Sequence, residues 1–303
     1  RHRALAAPGE DEVVVAAHVL AGTAVIRAAR RQGVPVLFDL KDWFPDSAAA
    51  YYDNPLLQRV IRRSVLEIVR FNLDRSDRIT TVSPGLVDKL AHLGYRAELI
   101  TNGVDTRIFH PTDGTASREA LGIDTGDFVI GFAGSVERWY ALDRVIESMP
   151  AVLERVPEAL LLVVGGSLFT GYLPELVALA EGLGIRDRVR FAGTQPYADL
   201  PAFIGAMDVC TIPLRPPQWV DIALPNKFFE YSACGRPILS TPIPDVERIG
   251  GEHLDIYRSY GEFVERVVAL ANERPTFDLD MSGYDWRTKA VEFEKILEEM
   301  TCP

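Results

Sequence analysis

Short apolar runs separated by amphipathic stretches set the pattern of this chain from end to end. Glu12–Ala17 (EVVVAA) reads as a buried strand, followed by a helix-like run through Val25–Arg31. Val34–Leu40 and Arg78–Val82 repeat the strand pattern, with a long helical period over Asn54–Leu73 between them. Ser83-Pro84 then opens another helix, with Ser83 placed to cap it, and Ala97–Thr101 forms a fourth strand that ends in Asn102-Gly103. Residues 111–127 are rich in Pro, Gly, Thr and Asp and read as a connection between domains. A second series begins with strands at Phe128–Ala133, Leu160–Val164, Val189–Ala192, Val209–Ile212 and Ile238–Thr241, and a sixth near Leu254–Tyr257. Its helices are expected at about 141–155, 173–183, 198–206, 226–234 and 261–272, and Trp286–Met300 is an amphipathic terminal helix.

Strands alternating with helices predict parallel βαβ units, and two such series predict two doubly wound Rossmann-like domains of the α/β class. The expected division is residues 1–111, 112–285, and a terminal helix over 286–303. A ligand is expected in the crevice outside the strand C-terminal ends. The first series has only about four strands and begins mid-pattern, where an open sheet of this class has about five or six. The expectation is a truncated first domain, completed by an upstream segment or by another polypeptide.

Bulk properties narrow the function classes. The chain has 303 residues, 48% hydrophobic and 25% charged, in the range of a globular protein. Its net charge of −11 is uneven: residues 1–111 carry +2 and the remainder −13. An acidic second half argues against a nucleic-acid surface. No apolar run reaches the ~20 residues of a membrane span, and no signal-peptide core is present, so a cytoplasmic location is expected. Cys210, Cys234 and Cys302 are odd in number, lack metal-type spacing and read as reduced thiols. No metal cluster is visible, so the expected site works without an obligatory ion and without a cofactor.

The richest stretch is Leu224–Thr241, LPNKFFEYSACGRPILST. Pro225 opens a helix with Asn226 and Lys227 in its first turn, and Gly235 closes it. Unpaired amides at a helix N-terminus beside an ammonium suit a phosphate or diphosphate. Glu230, three residues after Lys227 on the same face, suits a pair of neighbouring hydroxyls such as those of a ribose. The competing reading is an amphipathic helix that buries Phe228, Phe229 and Tyr231 and leaves Lys227 and Glu230 as a solvated ion pair.

Two separated strings bring in a family. Thr81-Val-Ser-Pro-Gly-Leu-Val and Leu99-Ile-Thr-Asn-Gly-Val-Asp-Thr-Arg-Ile-Phe-His-Pro111 resemble the TVS…NGVD…F.P signature of GT-B glycosyltransferases of the retaining family-4-like group. The resemblance continues in order through Phe132-Ala-Gly-Ser135, the loop Phe191–Pro201, Ala206–Pro213, Leu224–Thr241 and Tyr284-Asp-Trp286. It implies a nucleotide-sugar donor, with the backbone at Gly134 and Ser135 against its diphosphate and Gln195 beside its base. Pro225, Asn226, Lys227 and Glu230 match the donor-gripping helix, in the branch that carries Pro-x-Lys before the glutamate. In this reading Lys227 stabilises charge on the departing diphosphate. Trp286 would start a helix that crosses back to the first domain.

The departures matter as much. The family's basic pair after the first donor-domain strand is absent: Ser135 and, by spacing, Tyr140-Ala141 hold those positions, leaving Arg138 as a displaced substitute. Ile222 replaces the first of the family's paired glutamates. Lys41 and Asp42 (LFDLKDWFPDS) occupy the strand end where a family histidine lies near the donor sugar. They are candidate catalytic residues on the acceptor side, and equally an ordinary solvated loop pair. His18 at the end of the first strand is weighed as cleft-lining or structural. The run over 54–73, with Arg59, Arg62, Arg63 and Arg70 among apolar residues, suits a membrane-surface helix at the inner membrane face serving a lipid-linked acceptor. More often such a run is a core helix with a basic solvated face, which is the favoured reading. The expected activity is retaining sugar transfer to an unidentified glycan, lipid-linked or small-molecule acceptor. The rival readings are a catalytically silent nucleotide-binding scaffold subunit and a GT-B nucleotide-sugar epimerase.

Overall fold

A computed structural model describes residues 12–49, 52, 54–215 and 220–301; Cys302 lies outside them. The chain forms two compact units, each built on its own parallel sheet. The first comprises Arg1–Asn102, Asp221–Leu224 and Trp286–Pro303, the second Gly103–Val220 and Pro225–Asp285.

The first unit runs β1 (Val14–Ala16), α1 (Val19–Gln32), β2 (Val36–Leu40), α2 (Phe44–Ala49), α3 (Pro55–Leu73), β3 (Arg78–Thr81), α4 (Pro84–His92) and β4 (Glu98–Leu99). Its described sheet has the order β1-β2-β3-β4. Every residue of β2 is buried, as a strand covered on both faces requires. Helix α1 starts six residues earlier than its apolar period suggests. Gly22, a poor helix former, lies in its first turns, where a Cβ would make only an ordinary contact of 3.5 Å with the Ala16 Cβ. His18 caps this helix, its Nδ1 accepting from the Ala21 amide at 3.2 Å, which is the structural role. Ser83 caps α4 by accepting from the Leu86 amide, and its hydroxyl donates to the Ile222 carbonyl at 2.8 Å.

The second unit runs α5 (Thr115–Leu121), β5 (Phe128–Ala133), α6 (Leu142–Arg155), β6 (Ala159–Val164), α7 (Leu173–Gly182), β7 (Val189–Gly193), α8 (Leu200–Gly205), β8 (Val209–Ile212), α9 (Asn226–Ala233), β9 (Ile238–Ser240), α10 (Pro244–Ile249), β10 (Leu254–Ile256) and α11 (Tyr260–Glu273). The last helix of the chain, α12 (Trp286–Thr301), belongs to the first unit. There Arg78 ties it to the sheet, forking onto both oxygens of Glu98 at 2.6 Å and reaching Glu299 at 3.1 Å.

Two expectations about boundaries need correction. The division falls at Asn102–Gly103 rather than after Pro111. The segment beyond Asn102 is held by the second unit: Val104 pairs with Asp285, Thr106 bonds the Asp285 carboxylate, and Phe109 is buried edge-on against Tyr197. The stretch 111–127 is also not a bare linker. It contains α5, fixed by Arg118, whose guanidinium bonds the Ala206 carbonyl at 2.9 Å and Asp208 at 2.8 Å. The Asp, Thr and Gly residues that suggest a loop serve here as helix ends: Asp113 accepts from the Thr115 amide, and Gly122 ends the helix in a left-handed conformation.

The second sheet has the order β10-β9-β8-β5-β6-β7, all parallel. Counted from β5 this is the 3-2-1-4-5-6 arrangement, whose order reverses between β5 and β8. All six residues of β5 and of β6 are buried. Cys210 and Cys234 are buried free thiols, and burial raises the pKa of both.

Candidate functional site

The reversal between β5 and β8 is where an open parallel sheet leaves a crevice, because the connecting helices depart to opposite faces. Three βα turns meet near it. Gly134 ends β5 with φ +141°, and Gly165 ends β6 with φ +137°. A Cβ on Gly165 would stand 1.8 Å from the Gly134 carbonyl oxygen, so the two turns touch backbone to backbone. The Gly134 amide donates to the Val164 carbonyl, the Val136 amide to Gly166, and the Gly165 amide to Gly193. Ser135 is half-buried in this turn.

Lys227 comes to the same place from the first turn of α9. It is only 8% exposed. Its Nζ donates to the Tyr140 hydroxyl at 2.7 Å and lies 4.0 Å from the Tyr140 ring centre and 5.0 Å from that of Phe132. A Cβ at Gly134 would come within 2.9 Å of the ammonium. The direct contacts of this charge are thus a hydroxyl and two ring faces; Glu230, one turn further along the helix, acts on it electrostatically but makes no ion pair with it among the described residues. A buried charge is costly unless an opposite charge compensates it. The solvated Lys227–Glu230 pair of the competing reading is therefore not what the helix presents.

The rest of α9 explains why the lysine points this way. Phe228, Phe229 and Tyr231 are buried, and the Tyr231 hydroxyl both accepts from the Ala133 amide at 2.8 Å and meets the Ala133 carbonyl at 3.1 Å. That contact fixes the helix to the end of β5. No side chain caps the helix at Pro225, and Asn226 is exposed at its start. Glu230 is half-buried, and burial raises its carboxyl pKa against the opposing pull of Lys227. Ser232 bonds His253 at 2.9 Å, and burial lowers the His253 pKa, locking the far side of α9 to the neutral imidazole.

Gln195, in the loop after β7, is half-buried, and its amide donates to the Ala192 carbonyl at 2.6 Å. In that loop Tyr197 is a residue the sequence reading passed over. Burial, then the charges of Glu230 and Asp105, push its pKa up to about 12.

Arg138 does not join Lys227. Its guanidinium pairs with Glu175 and lies 5.1 Å from the Tyr172 ring centre. The residue before it, Glu137, was also not singled out, yet it is 0% exposed. Its carboxylate accepts from the Leu168, Phe169 and Thr170 amides at 2.6 to 2.9 Å, holding the loop after β6. Burial works to raise its pKa, but these bonds and that of the Thr170 hydroxyl win and lower it.

Lys41 and Asp42 follow β2 in the first unit. Lys41 pairs with the buried Asp39 at 2.7 Å. Asp42 accepts from the Trp43 amide at 2.7 Å, and its pKa is raised, chiefly by burial of the carboxyl. Among the described residues no group of three His, Cys, Asp or Glu side chains is arranged to hold a metal ion.

A family model described as glycosyl transferases group 1 matches residues 127–273, and one described as a glycosyl transferase 4-like domain matches residues 2–103. The chain belongs to this glycosyltransferase family. A D-inositol 3-phosphate glycosyltransferase of Actinosynnema mirum is 30% identical over 247 residues, covering 78% of this chain and 57% of its own length. The enzyme of the same name from Kribbella flavida is 27% identical over 253 residues, covering 80% and 58%. This chain spans 36% to 58% of the first such relatives. The Anabaena protein HepE, solved in complex with UDP, superposes with a TM-score of 0.75 at 17% identity, covering 95% of this chain and 79% of its own. These neighbours carry the GT-B fold, which agrees with two Rossmann-like sheets.

Proposed function

We propose that the chain transfers a sugar from a nucleotide-sugar to an acceptor hydroxyl with retention of configuration, and that the second unit binds the donor. The observation that carries this reading is Lys227. Its ammonium is buried at the sheet's switch point, against Gly134, with no carboxylate in ion-pair contact among the described residues. A diphosphate is the partner that such a charge lacks, and the α9 amides at Asn226 and Lys227 add to its attraction. As the glycosidic bond breaks, negative charge grows on the diphosphate, so the interaction strengthens toward the transition state and lowers the barrier. Gly134 and Ser135 bring backbone to the phosphates, Glu230 orients the ribose, and Gln195 faces the base. Pro225 starts the helix where its missing N–H costs nothing. This site needs no obligatory metal, because the lysine and the helix amides supply the positive charge. Lys41 and Asp42 serve the acceptor side in the first unit. The UDP bound by HepE supports a uridine-type donor.

A panel of UDP, GDP, TDP and ADP tests the donor site. At about 100 times its Kd, one nucleotide raises stability by about 2.7 kcal/mol, a melting shift of roughly 5–10 °C for a domain of this size. Silence from all four nucleotides at millimolar concentration overturns the donor reading.

We also propose a peripheral membrane contact through α3. No helix among the described residues is long and apolar enough to cross a membrane. The first half of α3 nevertheless exposes Leu56 at 71% and Val60 at 61%, beside the exposed Arg59 and Arg63. Its buried residues begin only at Val65. Apolar and basic side chains on one face suit an anionic lipid surface. The protein should co-sediment with vesicles containing phosphatidylglycerol, and a Leu56→Ser/Val60→Ser double variant should lose that binding. Equal sedimentation of the two proteins would remove α3 from consideration.

A further inference from the structure

We propose that the Tyr140 hydroxyl is a second ligand of the donor diphosphate, forming with Lys227 a clamp of two hydrogen-bond donors and a single charge. The proposal rests on the donor-site reading above and goes beyond it, since it gives a phosphate contact to an uncharged residue that stands where the family's basic residue is missing.

Tyr140 lies in the turn between β5 and α6, is 8% exposed, and has little freedom. It bridges Leu214 across the switch point. On either side of it the Ala141 amide donates to the Pro213 carbonyl at 2.7 Å, and the Arg215 amide donates to the Trp139 carbonyl at 2.8 Å. The turn after β5 is thereby fastened to the segment after β8. The ring itself is held edge-on by Phe132, with centroids 5.0 Å apart. A donor fixed in this way pays little ordering entropy on binding.

Its chemistry completes the argument. The Tyr140 oxygen accepts one Lys227 proton at 2.7 Å. A phenol that accepts from an ammonium still carries its own O–H, and that proton has no recorded acceptor among the described residues. The ammonium polarises the phenol and makes its O–H a stronger donor. Two donors, one neutral and one cationic, therefore stand side by side, 2.7 Å apart, with the cationic one against Gly134. Oxygens of a diphosphate span such a pair. A neutral second donor also avoids burying two like charges together, which would carry a large electrostatic cost without a ligand.

The test titrates wild type, Tyr140→Phe and Lys227→Met by calorimetry with UDP, GDP, TDP and ADP and with the corresponding free nucleosides. Tyr140→Phe keeps the ring face and its contact with Phe132 and removes only the hydroxyl. Loss of a hydrogen bond to a charged group predicts about tenfold or greater weakening for the diphosphate that binds wild type. Free-nucleoside affinity should stay within about twofold, because packing rather than this hydroxyl holds the base loop. Tyr140→His, which keeps a ring and a donor, should recover part of the loss, and a cooperative melt establishes that each variant is folded. Diphosphate affinity unchanged in Tyr140→Phe but lost in Lys227→Met would overturn the Tyr140 assignment and leave the donor site standing. Equal losses for diphosphate and nucleoside would reduce Tyr140 to a packing residue. No binding of any diphosphate to wild type would instead bring down the donor reading itself, and this clamp with it.

Discussion

Lys227→Met should lower the turnover number for sugar transfer by about 10² to 10³ at saturating donor, the loss seen when one preorganised donor to developing charge is removed. Methionine suits the experiment. It is unbranched, fills nearly the same space, and its sulfur packs well against the Phe132 and Tyr140 rings that now face the ammonium. Replacing a buried charge that has no ion-pair contact by an apolar side chain is neutral or stabilising, so the melting temperature should hold or rise. The combination of lost turnover with retained stability separates a chemical role from a structural one. Steady-state rates at several donor concentrations, with a melt on the same samples, make the measurement. Turnover within about threefold of wild type at saturating donor would end the leaving-group role.

Gly134→Ala should damage the same site from the backbone side. At φ +141° an alanine is strained, at a cost of about 1–3 kcal/mol. Its Cβ would also stand 2.9 Å from the Lys227 Nζ and 3.1 Å from its Cε. The lysine side chain can yield where backbone cannot, so the expected outcome is a folded protein with a displaced ammonium. Melting should fall by roughly 2–10 °C and diphosphate affinity by about tenfold or more. Gly126→Ala is the matched control, since no atom lies within 4 Å of a Cβ there and no positive φ is involved. Wild-type affinity in Gly134→Ala would show that the ammonium does not need the space above this turn.

Much of the architecture was legible because its causes are local. β5 reads FVIGFA, and six apolar residues in a row bounded by Gly-Asp and Gly-Ser can bury both faces only in a parallel sheet. Helix α9 starts and stops where Pro225 and Gly235 place it. Elements with weaker local signals were missed. Short helices α2 and α10 have six residues each, too few for a period to emerge. Helix α5 was hidden by end-forming residues that also form loops. The boundary at Asn102–Gly103 is displaced in the sequence reading because loop-forming composition marks the stretch after Pro111, while the contacts that tie Thr106 and Phe109 to the second unit, with Asp285 and Tyr197, lie far along the chain.

The candidate site divides along the same line. That Lys227 and Glu230 share a face of one helix, and that glycine follows β5, can be read directly from spacing along the chain. Whether Lys227 is solvated or buried cannot, because Tyr140 stands 87 residues before it and Phe132 lies on another strand. The same holds for Arg138, whose exposed guanidinium pairs with Glu175, 37 residues away, a contact that spacing along the chain does not reveal. The amino-acid sequence by itself determined most strands, the termini of helices bounded by strong signals such as Pro225 and Gly235, and the identity of the chemical groups, since near-neighbour sterics and periodicity set these. Only the tertiary structure decided which charge is buried without an ion-pair contact. The 3-2-1-4-5-6 strand order brings β5 and β8 together, and with them a lysine, a tyrosine and a glycine that lie far apart in the chain.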